Sequence, residues 1–314
     1  MSTILLTGGA GFIGSHIAET YTRKGWHVAI VDDFSSGTME NLAAIKDDPN
    51  VTIYHADIRD RETLRDIFAE VRPDVVNHHA AQKSVADSVT DPLHDLDING
   101  RGWLNVLLAA GEYGVKNIIY VSSGGALSKI IEGDEKSQEI DPPQLISPYA
   151  IHKYAGEQYL ANYQEKYGYE YTILRYANVY GPRQIPDGEC GVIPIFVNNV
   201  RADRPSVLFT YPDMPRGCSR DYVHVDDVVR ANVMAQEKPA NEPVNIGSGE
   251  EIYILDIYEK ICDVFGSDAS IAIEGPREGD IRRSVLAADR ARALWGWRPQ
   301  MTWQKGLQSL KNEQ

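Results

Sequence analysis

The chain has 314 residues, 43% hydrophobic and 24% charged, enough to bury a sizeable core in one large or two moderate domains. Its net charge of −14 argues against nucleic acid or an anionic membrane as a partner, though not against an anionic small molecule held by a few local arginines. Three cysteines, Cys190, Cys218 and Cys262, lack metal-ligand spacing and read as reduced thiols, so no metal is expected. Without a signal-like leader or an apolar run of about 18 residues, the expected location is the cytoplasm.

The first apolar run, Ile4-Leu5-Leu6, leads straight into Thr7-Gly8-Gly9-Ala10-Gly11-Phe12-Ile13-Gly14-Ser15-His16. This order reads as strand, glycine turn and helix start. Phosphate approaches a backbone only where side chains are missing, and a helix N-terminus aims N–H donors and a positive dipole at it. Gly8, Gly11 and Gly14 supply that geometry and predict a dinucleotide site. The second run, Val28–Val31, ends in Asp32, where an acid would hold a ribose 2′-hydroxyl and repel a 2′-phosphate; NAD is therefore favoured over NADP.

Further strand-like runs follow at Val51–Tyr54, Val75–Asn77, Ile118–Val121 and Tyr171–Leu174, with helical patterns between them at Leu64–Val71 and Leu104–Leu108. Alternation of this kind specifies an α/β fold with a doubly wound parallel Rossmann sheet. Ligands then belong beyond the C-terminal strand ends, at Asp32, Asp57, Ala80-Ala81, Ser122-Ser123 and Asn178. From about Tyr180, prolines and glycines become frequent and the rhythm weakens. The expected division is a NAD-binding domain over 1–179, rejoined by about 223–246, and a smaller α/β substrate domain over 180–222 and 247–314.

Within Ser147-Pro148-Tyr149-Ala150-Ile151-His152-Lys153, Tyr149 and Lys153 stand four residues apart and share a helix face. Tyrosine, with an ordinary pKa of about 10, is a poor base at neutral pH unless a nearby positive charge stabilises its phenolate. An ammonium and a bound nicotinamide would both do so, and a serine of Val121-Ser122-Ser123 could share the substrate proton. His152 points off the Tyr149/Lys153 face and reads as a bystander.

These segments, in this order, resemble the extended short-chain dehydrogenase/reductase family, in its nucleotide-sugar epimerase branch. The chain is similar to the short prokaryotic UDP-glucose 4-epimerases through 7–16, SSGGA at 122–126, SPYAIHKYAGE at 147–157, LRYANVYGPRQ at 174–184, RDYVHVDDVVRA at 220–231 and REGD at 277–280. The resemblance implies Ser123, Tyr149 and Lys153 as the catalytic set, with Ser123 and Tyr149 also touching substrate. It implies NAD contacts from Gly8, Gly11, Phe12, Ile13 and Gly14, from Asp32, Asp33, Ser36 and Gly37, and from Asp57 and Ile58 at the adenine. His79, Ala80, Ala81 and Lys83, with Asn99, Ser122, Tyr149, Lys153 and Tyr176, would surround the nicotinamide and its ribose. Asn178, Arg220 and Arg277 would hold a nucleoside diphosphate, Val192 would lie near the uridine, and Asp280 would orient Arg277 or bind a ribose hydroxyl. Arg183 is either a further anion contact or a structural arginine.

The implied activity is interconversion of UDP-glucose and UDP-galactose through a 4-keto sugar, in a homodimer packing the helices around 104–113 and 149–163. Gly124 and Gly125 stand where related dehydratases carry acids, which disfavours dehydration. Epimerisation of UDP-N-acetylglucosamine or UDP-glucuronate, and a nucleotide-sugar dehydrogenase or reductase, remain alternatives. Two segments depart from the family pattern: the charged loop after Leu127-Ser128, and the long Thr210–Ser219 loop, in which Arg216 either meets a substrate carboxylate or is simply exposed.

Overall fold

The computed structural model describes residues 1–129, 131, 133–186, 191–276 and 281–312. All six strand-like runs form strands: β1 (Thr3–Thr7), β2 (His27–Asp32), β3 (Val51–His55), β4 (Val75–His78), β5 (Asn117–Ser123) and β6 (Glu170–Tyr176). A seventh, Pro243–Ile246, pairs in parallel with β6; the sequence places its stretch in the first domain but signals no strand there. The sheet order is Pro243–Ile246, β6, β5, β4, β1, β2, β3, every pair parallel. The order therefore reverses between β1 and β4, and the crevice outside their C-terminal ends is where such a sheet takes a ligand.

Local chemistry explains the helices flanking this crevice. Asp60 caps Arg61–Val71 by accepting from Thr63 N–H at 3.2 Å, and the helix buries Leu64, Ile67 and Phe68. Ser147 caps Pro148–Tyr167, with proline at the first helical position and Gly168 left-handed at the end. This helix lies close on β5: a Cβ at Gly156 would stand 2.1 Å from the Tyr120 hydroxyl oxygen, and Trp103 Nε1 donates to the Gly156 carbonyl. Close approach suspends the Tyr149/Lys153 face over the end of β5.

Beneath it lies a buried charge pair. Arg175 of β6 forks onto Glu157 with Nε–Oε1 at 2.8 Å and Nη2–Oε2 at 2.6 Å, and Ser122 Oγ donates to the same carboxylate. Removing one member strands the other charge in the interior. Glu157→Gln is expected to lower unfolding free energy by about 3 kcal/mol or more; a urea-unfolding loss under about 1 kcal/mol would mean that water already screens the pair.

The remaining strands form three small sheets, two of them built by Ser206–Phe209 with Ile271–Glu274, and by Ile252–Tyr253, Ser219–Arg220 and Arg283–Ser284. Around them a separate apolar cluster gathers Phe196, Ile257, Tyr258 and Leu307. No described helix is long and apolar enough to cross a membrane.

Candidate active site

One large cleft, of about 1780 Å³, runs from the glycine turn, past the ends of β4 and β5, to the small sheets. Gly8 is left-handed at φ +68°, and a Cβ there would stand 2.6 Å from Ala80 N; at Gly14 it would meet Gly8 O at 2.1 Å. Those two glycines are required by backbone packing. Gly11 has only Gly8 O near it, at 3.3 Å, on the cleft wall where a phosphate needs room.

Asp32 ends β2, buried, accepting from Ala10 N–H at 2.8 Å and Phe34 N–H at 2.9 Å. Burial raises its pKa against those two bonds. The carboxylate thus braces the glycine turn while retaining lone pairs for a hydroxyl, and Asp33 beside it adds a second acid unfavourable to a 2′-phosphate. Phe12, Ile13, Asp33 and Ser36 line this end with Asp57 and Ile58. The Arg59 guanidinium forks onto Asp57 and holds its pKa below the usual carboxylate range. Gly37 and Asn99 stand behind the wall: Gly37 packs on Ala10, and buried Asn99 donates to the Gln82 carbonyl and to Asp95. These residues fit NAD.

At the reactive end Ser122 and Ser123 point oppositely, as successive strand residues must. The Ser122 hydroxyl turns down to Glu157, whereas Ser123 Oγ accepts from Ala126 N–H at 3.1 Å and keeps its own proton to share. Tyr149 and Lys153 line the same end of the cleft, with Lys153 Nζ 5.9 Å from the Tyr149 ring centroid and donating to the Val121 carbonyl at 3.0 Å. Burial pulls the Lys153 pKa down to about 8, against the opposing fields of Asp95 and Glu157. Ala80, Ala81, Lys83 and His79 border them; burial, with Lys153 adding, drives the His79 pKa to about 3, so that ring is neutral. Tyr176 Oη lies 3.4 Å from His79 Nε2 and accepts from Asn232 at 2.7 Å.

At the far end are Val192, opening the helix Val192–Arg201, and Asn178 and Arg220. Arg220 donates to the Ser219 carbonyl at 2.8 Å, and no carboxylate among the described residues pairs with it. Its neighbour Asp221 is a hub: it accepts from Ser248 N–H and Oγ, Gly249 N–H and Leu286 N–H, while its carbonyl receives both Asn178 donors. Burial lifts its pKa to about 6. Arg277 and Asp280 lie outside the described residues.

One open reading closes and two change. Arg183 takes the structural option, bonding Ser15 and Glu19 of the glycine-turn helix while flanking the cleft. Arg216 meets the protein's own carboxylates, Asp256 at 2.6 Å and Glu259 at 2.5 Å. His152 is no bystander: its Nδ1 lies 2.5 Å from Asp95, a partner 57 residues away that no local spacing reveals. The charged loop after Leu127 turns inward, with Lys129 paired to Glu135 and Asp141, and Glu139 accepting from Asn245 N–H. An acid at position 124 has no space, because a Cβ there would lie 2.3 Å from Leu286 Cδ1.

Leu208, Phe209, Cys218 and Tyr222 also line the cleft, and sequence reasoning does not find them. The run Val207-Leu208-Phe209 is too short to carry a periodicity, and nothing local says that it borders the cleft.

A parallel sheet reversing at a glycine turn, with a Tyr–Lys helix over a strand-end serine, defines a Rossmann protein that works on a dinucleotide and a second ligand. The chain belongs to the NAD dependent epimerase/dehydratase family, whose model matches residues 4–247. It is 38% identical over 304 residues to the UDP-glucose 4-epimerase of Mycolicibacterium smegmatis, covering 96% of this chain and 95% of that one. The UDP-glucose 4-epimerase of Thermotoga maritima, solved with UDP-glucose, superposes with TM-score 0.91 at 41% identity, covering 98% and 96%. That of Thermus thermophilus, solved with NAD, gives 0.89 at 38% identity, covering 99% of each chain.

Proposed function

We propose that the chain is a UDP-glucose 4-epimerase that interconverts UDP-glucose and UDP-galactose. The observation that carries this reading is the convergence of Ser123, Tyr149 and Lys153 on one end of a cleft whose other end holds Asn178 and Arg220. Bound NAD would accept a hydride from C4 of the sugar and return it to the opposite face. Tyr149 takes the 4-hydroxyl proton, Ser123 donates to the same oxygen, and Lys153 stabilises the phenolate. Asn178 and Arg220 grip the diphosphate, leaving the 4-keto hexose free to turn. The sheets built by Ser206–Phe209 and by Ser219–Arg220 serve as the substrate domain over 180–222 and 247–314.

A homodimer is part of the proposal. Val89, Leu93 and Leu96, with Ile151 and Tyr159 on the catalytic helix, are exposed apolar side chains on elements that pack side by side. The helix around 104–113, by contrast, is mostly spent on the core.

Proton NMR of UDP-galactose with the protein and catalytic NAD tests the activity, with UDP-N-acetylgalactosamine and UDP-glucuronate in parallel. Conversion to UDP-glucose without net NADH supports the proposal; turnover confined to another sugar, or net NADH, replaces it. Arg220→Leu should raise KM for the nucleotide sugar about 10- to 100-fold, the loss of charge-assisted bonds to phosphate, with kcat and NAD binding little changed. An unaltered KM removes Arg220 from the site.

A further inference from the structure

Asp95 is completely buried, on the short helix Pro92–Asp95, and its carboxylate is held at both oxygens. Oδ1 accepts from Asn99 Nδ2 at 2.8 Å, and Oδ2 lies 2.5 Å from His152 Nδ1. A carboxylate only accepts, so Nδ1 of His152 carries the proton. Asn99 also donates to the Gln82 carbonyl, just beyond His79-Ala80-Ala81. The triad therefore ties the helix bearing Tyr149 and Lys153 to the chain segment beneath the reactive end of the cleft.

A buried carboxylate is costly unless something uses its charge. The groups around the Lys153 ammonium are Tyr149 and Glu157 on its own helix, Tyr120 on β5, His78 and His79 at the end of β4, and Asp95. Neither histidine carries positive charge once burial has pulled its pKa down. Of the two carboxylates, Glu157 is already neutralised by the Arg175 fork. Asp95 has no guanidinium or ammonium pair among the described residues, and its field bears on Lys153 more strongly than that of Glu157.

We propose that Asp95, clamped by His152 and Asn99, is the buried counter-charge that keeps Lys153 protonated beside Tyr149. Asp95 and His152 are then positioning residues for the proton transfer, a role that rests on the epimerase reading for its purpose but not for its test. His152 matters because its N–H anchors Oδ2 of Asp95; without that donor the carboxylate keeps only the Asn99 anchor at Oδ1.

The test is direct titration of Lys153 by carbon-13 NMR of ε-labelled lysine in the full chain, its signal assigned by its loss in Lys153→Met. In Asp95→Asn the titration midpoint should fall by about one pH unit or more. His152→Leu should lower it too, His152→Gln, which keeps an N–H donor, should restore much of it, and Asp95→Asn/His152→Leu should be no worse than Asp95→Asn alone. The alkaline limb of kcat should move down with the midpoint, with KM little changed. A midpoint unchanged in Asp95→Asn overturns the proposal, even if activity or melting temperature falls. If Asp95→Asn does not fold, an unchanged midpoint in His152→Leu overturns it equally. Failure of epimerisation alone, with the midpoint shifted, would count against the epimerase reading and leave the counter-charge standing.

Discussion

Tyr149→Phe is expected to retain NAD and fold normally while losing about a hundredfold or more in kcat, the usual contribution of a positioned acid–base group. The substitution removes one oxygen at the second residue of a helix whose start is secured by Ser147 and Pro148. Tyr149 is partly buried at the cleft wall, so deleting its hydroxyl leaves no large void. Fluorescence titration with NADH gives cofactor affinity, and the NMR assay gives the rate. Turnover near the wild-type rate would remove Tyr149 from the mechanism and leave Ser123 to carry the proton.

Lys153→Met should produce two effects of opposite sign. Activity falls by about a hundredfold or more, because the phenolate loses its supporting charge. Stability of the NAD-free chain rises. The sign follows from the depressed pKa: in the unfolded chain lysine titrates near 10.4, and in the fold Lys153 titrates at about 8. Above the unfolded value both states are neutral and burial carries no ionic penalty. As pH falls towards about 8 the unfolded chain takes up the proton first, and the native state loses about 3 kcal/mol relative to it. Methionine removes that penalty but leaves the Val121 carbonyl without its 3.0 Å partner. The net gain at pH 7 should be about 1–2 kcal/mol, measured by urea unfolding; it should shrink to nothing at about pH 9 and reverse near pH 10.5, where the ionic penalty is gone and only the lost hydrogen bond remains. A destabilised variant at pH 7 would mean that Lys153 is solvated or better paired than its burial indicates.

Much of the fold was legible because its signals are local. Six apolar runs, with helical patterns recurring between them, are enough to specify parallel strands with crossovers. The glycine turn was legible for the same reason: Gly8 and Gly14 allow close backbone contacts and Gly11 leaves room on the cleft wall, all within one short segment. The seventh strand, Pro243–Ile246, was missed because four residues between a helix and a turn carry no periodicity of their own. It is a strand because β6 offers it a free edge.

Ser123, Tyr149 and Lys153 could be named from spacing and resemblance, since each sits at a strand end or on one helix face. Which serine serves the cleft is visible in the alternation of β5, but only the Glu157–Arg175 pair shows where Ser122 goes. The residues that spacing left open or misread have long-range partners. His152 finds Asp95 across 57 positions, Arg183 finds Glu19 across 164, and Arg216 reaches Asp256 across 40. Periodicity and turn chemistry act over a few residues and therefore determine elements, caps and the phosphate-binding turn. Charge pairing in a folded interior depends on which elements meet, so the counter-charge near Lys153, the Asp221 hub and the fate of each arginine were decided only when the chain closed on itself.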